Sequence, residues 1–314
     1  MKKQLFVTTF CSLLLAGYGC SSPQANDAMQ DMTQYVDPYI GSGGHGHVFV
    51  GANVPYGLVQ LGPSSIPQEW DWTSGYHISD STVIGFPHMH LSGTGIGDLH
   101  DITLMPVVGE VTYARGVESD QTSGLWSYSD RSKEVVKPGY YATHLLRYDV
   151  DVELTATKRV GFHKYTFNQK ENAAVVFDLQ NGGFWDSPTK AYINKVDDKT
   201  IEGYRYSSGW ANDQRVFFVA EFSEPISSLD GIVDRGEAVA DKGEGKIVYA
   251  RANVDAQKPV YVKVALSPTS IENAKLNMES ELPGWDFEGT IAQADQAWEK
   301  ALAKVEMESA DVKS

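Results

Sequence analysis

Pro259-Val260-Tyr261-Val262-Lys263-Val264-Ala265-Leu266-Ser267 alternates strictly. Val260, Val262, Val264 and Leu266 point one way, and Tyr261, Lys263 and Ala265 the other. That period of two belongs to a β-strand with a buried face. Four runs upstream read the same way: 160–167 (VGFHKYTF), 174–179, 215–222 (RVFFVAEF) and 246–251 (KIVYAR). All are rich in β-branched and aromatic residues, which suit a pleated, half-buried surface. Turn signals separate them: Asn181-Gly182-Gly183, Asp230-Gly231 and Lys242-Gly243-Glu244-Gly245. Short strands punctuated this often predict a mostly β fold, a large antiparallel β-sandwich over residues 35–285.

Beyond the last strand the period changes. From Thr290 the sequence TIAQADQAWEKALAKVEME reads as a helix, with Thr290 and Gln293 at capping-box spacing. Ile291, Ala294, Trp298, Ala301 and Val305 share one face, with Leu302 beside it. Residues 286–314 are therefore expected to form a carboxy-terminal linker helix and a polar tail. Its apolar stripe must pack either on the sandwich or on something that follows.

The amino terminus reads as targeting. Lys2 and Lys3 precede an uncharged apolar run, residues 5–16, too short to span a bilayer as a helix. It ends in Gly17-Tyr18-Gly19-Cys20, then Ser21-Ser22-Pro23. Residues 1–20 resemble a lipoprotein-type signal peptide with Cys20 as the lipidation site. Residues 21–34 read as a flexible tether. Export is expected, with lipid anchoring to a bacterial outer membrane. The two cysteines, Cys11 and Cys20, fall in or at the end of the signal, so neither a disulfide framework nor a Cys-based zinc site is expected. The charge is acidic, 26 Lys and Arg against 41 Asp and Glu. Surface charge thus argues against nucleic acid and against binding anionic lipid, leaving a lipid anchor as the membrane contact. A neutral sugar is compatible with it.

Six of the eight histidines lie between residues 45 and 100: His45, His47, His77, His88, His90 and His100. Trp70, Asp71, Trp72, Asp98 and Asp101 share that stretch. Three chemistries fit. His45-x-His47 and His88-x-His90, with His100 and Asp101, offer donors for zinc. Trp70-Asp71-Trp72 pairs indole faces for a pyranose with a carboxylate for its hydroxyls. Buried hydrogen-bond networks also consume histidines, and for any one of these that is the expectation. No G-x-S-x-G, P-loop or CxxC motif occurs. Glycoside hydrolysis needs two carboxyl groups across the scissile bond. Asp98 with Asp101, and Glu69 with Asp71, are pairs by proximity alone.

Longer motifs run through the same region: Val36-Asp37-Pro38-Tyr39-Ile40-Gly41, Gly43-Gly44-His45-Gly46-His47, Pro55-Tyr56-Gly57-Leu58-Val59-Gln60-Leu61-Gly62-Pro63 and Gly75-Tyr76-His77. Then come Gly85-Phe86-Pro87-His88-Met89-His90-Leu91-Ser92-Gly93-Thr94-Gly95, Gly97-Asp98 and Leu104-Met105-Pro106. With this order, Tyr35 to Val111 resembles the amino-terminal domain of glycoside hydrolase family 92, the exo-acting, calcium-dependent α-mannosidases. The resemblance implies a sandwich joined by a helical linker to a catalytic (α/α)6 barrel. The barrel would supply the general acid, the general base for inversion, and most calcium ligands. Such a barrel is not expected within these 314 residues, so no catalytic or metal-ligating residue is assigned, and calcium is expected only in an intact enzyme. A separate chain carrying the barrel is the partner this implies, and α-mannoside glycans are the substrate. Residues implied to contact substrate are Gly44, His45, Trp70, Asp71, Trp72, His88, His90, Phe184 and Trp185. A non-catalytic half of a mannosidase, a stand-alone mannose-binding module and a metal protein built on the histidine cluster are the three readings.

Overall fold

Strands with one solvated face alternate in burial, as residues 200–208 do, while 103–107 and 173–178 are buried on both faces. The structure, a computed structural model, describes residues 31–181, 183 and 185–305. In chain order the first strands are β1 (Ala52–Asn53), β2 (Gln60–Leu61), β3 (Thr82–Val83), β4 (Thr103–Val108) and β5 (Ser127–Tyr128). Next come β6 (Val135–Lys137), β7 (Tyr140–Leu145), β8 (Val150–Ala156), β9 (Val160–Phe167) and β10 (Ala173–Asp178). Then follow β11 (Ser187–Lys195), β12 (Thr200–Ser208), β13 (Gln214–Phe222) and β14 (Ile226–Val233). The last are β15 (Glu237–Ala240), β16 (Lys242–Gly245), β17 (Val248–Val254) and β18 (Val260–Ser267).

Two antiparallel sheets carry the architecture. One has nine strands in the order β16-β11-β12-β13-β18-β9-β8-β7-β6, and the other five, β15-β14-β17-β10-β4. They face each other across one core. Phe177 of β10 stacks on Phe218 of β13 at 5.8 Å and lies 6.2 Å from Phe222. Each such fully buried phenylalanine contributes roughly 1.5–3 kcal/mol of transfer free energy. Val260, Val262, Val264 and Leu266 join this core, as their alternation requires. The large antiparallel β-sandwich expected from sequence is present.

The opposite face of the nine-stranded sheet is covered too. Val160, Phe162 and Ala265 pack there against Met278, Leu282 and Phe287 of two helices. These are α1 (Ile271–Glu281) and α2 (Phe287–Leu302). Lys263, on the same face, is buried beneath them. Its ammonium donates to Leu282 O at 3.1 Å, pairs with Glu221 at 2.8 Å and lies 4.3 Å from the Trp285 ring. Helix α1 falls inside the span read from sequence as sandwich alone. Its signal was present: Ser270 accepts from the Asn273 N–H, and Ala274, Met278 and Leu282 recur every fourth residue. Helix α2 starts earlier than the Thr290 cap implied. Asp286 is the cap, accepting from Gly289 N–H at 2.9 Å, while Thr290 is a buried interior residue. Val305, placed on the apolar stripe by sequence, lies exposed beyond the helix end.

Helix α2 folds back on the sandwich. Trp298 donates its indole N–H to Asn53 O at 2.8 Å. The Glu299 carboxylate accepts the backbone N–H groups of Met32 and Thr33 at 2.9 and 2.6 Å, so the end of the predicted tether is held against the fold. Further along, Glu134 ties the segment around Tyr39 and Tyr76 to β7. It accepts from the hydroxyls of Tyr39, Tyr76 and Tyr141 at 3.2, 3.0 and 2.8 Å and pairs with Arg131 at 2.7 Å.

Gly139 sets how closely α2 approaches. Its φ is +80°, and an added Cβ would lie 2.6 Å from the Ala294 Cβ. Both faults act together in Gly139→Ala, which is expected to cost about 2–4 kcal/mol. Urea unfolding followed by circular dichroism measures it, and an unchanged midpoint would show that α2 does not bear on this turn.

Candidate functional site

Strand ends gather the loops. Asp178 ends β10 opposite Thr103 at the start of β4, and Ser187 opens β11 opposite Ser208 at the end of β12. The segments 92–102, 179–186 and 209–213 therefore meet at one end of the sandwich. Hydrogen bonds join them to the glycine-rich loop near the amino terminus. Gly93 N–H donates to His47 O at 2.7 Å, Gly183 N–H to Leu99 O at 3.1 Å and Trp185 N–H to Gly97 O at 3.0 Å. Asp98 accepts from Ala211 N–H at 3.1 Å.

Beneath these loops is a buried ion cluster. Arg205 of β12 is fully buried and pairs with Asp101 at 2.6 Å and Asp186 at 2.7 Å. Its Nε donates to Leu179 O at 3.1 Å, and Gln214 donates to Asp101 at 3.3 Å. The two carboxylates hold the guanidinium protonated against the cost of its burial. The chain running through Asp101 is strained. Leu99, His100 and Ile102 have φ of 77°, 55° and 55°. Left-handed backbone at non-glycine residues, one of them β-branched, persists only where surroundings impose it. The ion cluster supplies that constraint. Asp98 and Asp101 are thus consumed inside the fold, and as an acid–base pair they have no open side.

On the surface above sits the tryptophan motif. Trp70–Trp72 form one turn of 3-10 helix, which sends the two indoles to different surroundings. Trp70 is 51% exposed and donates its N–H to Gly95 O at 2.9 Å. Gly95 is required there, since a Cβ would sit 2.2 Å from the indole ring. The rings of His47 and His45 lie 4.2 and 5.4 Å from Trp70. Asp71 accepts from His45 Nδ1 at 2.5 Å. Trp72 is half-buried instead. It stacks on His77 at 4.1 Å and donates to Asp80 at 2.7 Å. Gly44 and His45 are exposed at the loop tip. Trp185 is 46% exposed, and Phe184 lies outside the described residues, as does Cys20.

Gly44, His45, Trp70 and Asp71 therefore share one surface, and the half-exposed Trp185 is tied by its backbone N–H to Gly97 of the same Gly93–Gly97 loop that holds Trp70. His88 and His90 do not join it. His88 is fully buried: Nδ1 donates to Ile102 O at 2.6 Å, so Nε2 accepts from His163 Nε2 at 2.9 Å. His163 Nδ1 then accepts from the Tyr165 hydroxyl at 2.7 Å. This single proton arrangement satisfies all three neutral groups, which leaves no atom of His88 for a ligand. His90 donates to Gln60 O at 2.8 Å and packs between Phe49 and His100. Burial lowers the pKa of both His88 and His90 to about 4.

One residue was missed in the sequence. Trp210 is 72% exposed, in a turn whose Gly209 abuts Asp98 and Asp186. A lone indole in a polar turn between strands was its signal. His47, read from sequence as a candidate metal donor with His45, His88, His90, His100 and Asp101, stands beside His45 and Asp71, apart from the other four. Calcium favours six to eight oxygen ligands. Two imidazoles and one carboxylate at this surface do not suit it.

Comparison with known proteins places this geometry. Residues 35–267 match the family model described as the glycosyl hydrolase family 92 N-terminal domain. A curated protein of Arthroderma benhamiae, described as an uncharacterized secreted glycosidase, is 26% identical, aligned over 90% of this chain and 39% of its own length. The family GH92 α-mannosidase BT3965 of Bacteroides thetaiotaomicron, solved in complex with mannoimidazole, superposes with a TM-score of 0.84 at 33% identity. That match covers 90% of this chain and 38% of the solved one. The inverting mannosidase BT2199 from the same organism shares the fold at 21% identity and a TM-score of 0.74. This chain spans about two fifths of the length of these relatives. With its family model matched over most of its described residues, the chain belongs to glycoside hydrolase family 92, as the amino-terminal domain of that family.

Proposed function

We propose that this chain supplies one wall of an α-mannoside site, with the catalytic carboxylates coming from elsewhere, in a following domain or a partner chain. The observation that carries the reading is the surface around Trp70. A half-exposed indole, fixed by Gly95 O, stands beside Asp71, His45 and the open Gly44 loop, with Trp185 across the adjoining loop. Indole faces suit the C–H faces of a pyranose, and Asp71 and His45 suit its hydroxyls. Among the described residues, Asp98 and Asp101 are buried and Asp71 is engaged by His45, so neither pair suggested by proximity in sequence stands open as an acid and a base. BT3965 is an α-mannosidase seen with mannoimidazole, which supports a mannoside as the sugar. Export, lipidation at Cys20, calcium in the assembled enzyme and a role in breaking down mannose-bearing glycans complete the proposal. The fungal relative's description as secreted supports the export.

A fusion tests the role of this surface. The chain is joined to the part of BT3965 that lies beyond the superposed region, and aryl α-mannoside hydrolysis is measured. In the fusion, Trp70→Ala is expected to lower kcat/KM by about tenfold to a hundredfold, the loss of one stacked aromatic contact. Its melting temperature is expected to stay within about 3 °C of the parent, since Trp70 is half-exposed. Equal activity with and without Trp70 would remove this surface from the site.

A further inference from the structure

We propose that His45, His47 and Asp71 form a binding site for one divalent transition-metal ion of the zinc class. Their ligand atoms all lie within 4.8 Å of one another. Asp71 Oδ1 is 2.5 Å from His45 Nδ1 and 4.0 Å from His47 Nε2. Ligand atoms held about 2.0–2.1 Å from a tetrahedral zinc stand about 3.3 Å apart, between those two spacings. Closing the difference asks little of the fold. The His45 side chain is 78% exposed at a loop tip and free to make the adjustment, about 1.5 Å at most from spacings of up to 4.8 Å.

His47 is the residue that points to a ligand. It is 5% exposed and held in the left-handed region at φ 52°. Its Nδ1 is engaged by the Thr73 hydroxyl at 2.8 Å, and Trp70 packs on its ring. Its Nε2 is buried, has no hydrogen-bond partner among the described residues and faces Asp71. A buried ring nitrogen left without a partner costs free energy comparable to a lost hydrogen bond. An imidazole whose second nitrogen is fixed by an outer group, with the first aimed at a carboxylate, is the arrangement of a metal-ligating histidine. The His45–Asp71 contact alone does not account for this. It is largely solvent-exposed on the histidine side, where such pairs are worth little, and it leaves His47 Nε2 unserved. Two imidazoles and one carboxylate select zinc, cobalt, nickel or iron(II) over calcium or magnesium. The site lies on the surface proposed for the sugar but does not rest on that reading, because metal binding is measured with no sugar present.

The full chain, made without a histidine tag and with Cys11→Ser and Cys20→Ser so that no thiol competes, is stripped with EDTA. Zinc is titrated by calorimetry and cobalt by visible absorption. One ion per chain is expected, and cobalt should develop the intense visible bands of low-coordinate N/O ligation. Excess calcium should not displace it. His45→Ala and Asp71→Asn are each expected to weaken zinc by about tenfold or more with the melting curve unchanged. His47→Gln should remove binding altogether, and His144→Ala, at a separate histidine beside Asp149 and Asp151, should leave it intact. No saturable zinc binding, equal affinity in His45→Ala and Asp71→Asn, or loss only in His144→Ala would each overturn the proposal.

Discussion

Arg205→Met is expected to lower the melting temperature of this chain by about 10 °C or more, or to prevent it from folding. Arg205 is the only cation paired with Asp101 and Asp186 among the described residues, and all three side chains are buried. Removing one partner from a buried ion pair costs about 3–5 kcal/mol, because the remaining charges are stranded out of water. Here two carboxylates are stranded together. Burial already pushes the Asp186 carboxyl above its ordinary range, and Asp101 adds to that push, with Arg205 opposing both. At roughly 2–4 °C per kcal/mol for a domain of this size, the shift is large. Adding Asp101→Asn and Asp186→Asn to Arg205→Met removes the stranded charges and is expected to restore much of the loss. Thermal melts of the parent, the single and the triple variant decide it. A single variant melting within about 2 °C of the parent would mean the cluster does not hold the strained 99–102 segment.

Acidification is the second large effect. His88 and His90 titrate near 4 in the folded chain because burial disfavours the imidazolium, against about 6.5 in an unfolded one. The sign follows from proton binding. Between these values the unfolded state holds more protons, so stability rises with pH across that window and is lost as pH falls through it. By pH 5 each residue is expected to cost about 2 kcal/mol, or about 4 kcal/mol together. Burial also lowers His100 and His163 well below the ordinary value, so both act with the same sign. Asp178 and Asp186 are raised by burial and act in the opposite sense, but only once the pH enters the carboxylate range. The melting temperature is therefore expected to fall by about 10 °C between pH 7.5 and pH 5. His90→Asn should flatten that slope. A melting temperature constant over this interval would contradict neutral, buried histidines.

Much of the fold was legible where one physical rule governs many residues. Alternation in 260–267 separated two faces that the structure buries differently, Val260, Val262, Val264 and Leu266 in the sandwich core and Ala265 under the helices. Helix α1 was overlooked because its surface is polar and only Ala274, Met278 and Leu282 are buried against the sheet. The start of α2 was misplaced because Thr290 mimics a cap, whereas the Asp286 side chain reaches Gly289 first.

The site was less legible. Trp70, Asp71, His45 and Gly44 share a surface because a loop and a 3-10 turn, separated by some twenty residues, meet across Gly93–Gly97. Nothing in local spacing fixes that meeting. His88 and His90 looked equivalent to His45 and His47 as H-x-H pairs. The difference lies in what surrounds them: backbone carbonyls and a histidine partner inside the sandwich for one pair, an open loop tip for His45 and a buried place beside Trp70 and Asp71 for His47. Trp72 likewise matched Trp70 in sequence but is occupied by His77 and Asp80.

The most direct measurement is hydrolysis of an aryl α-mannoside by the purified chain with calcium, alongside calorimetric titration with mannose and α-mannobiose. No turnover is expected, because on the proposed reading this chain provides one wall of the site and the catalytic carboxylates come from elsewhere. Turnover that is abolished by substituting an Asp or Glu of this chain would contradict it and would place a working catalytic pair within these residues.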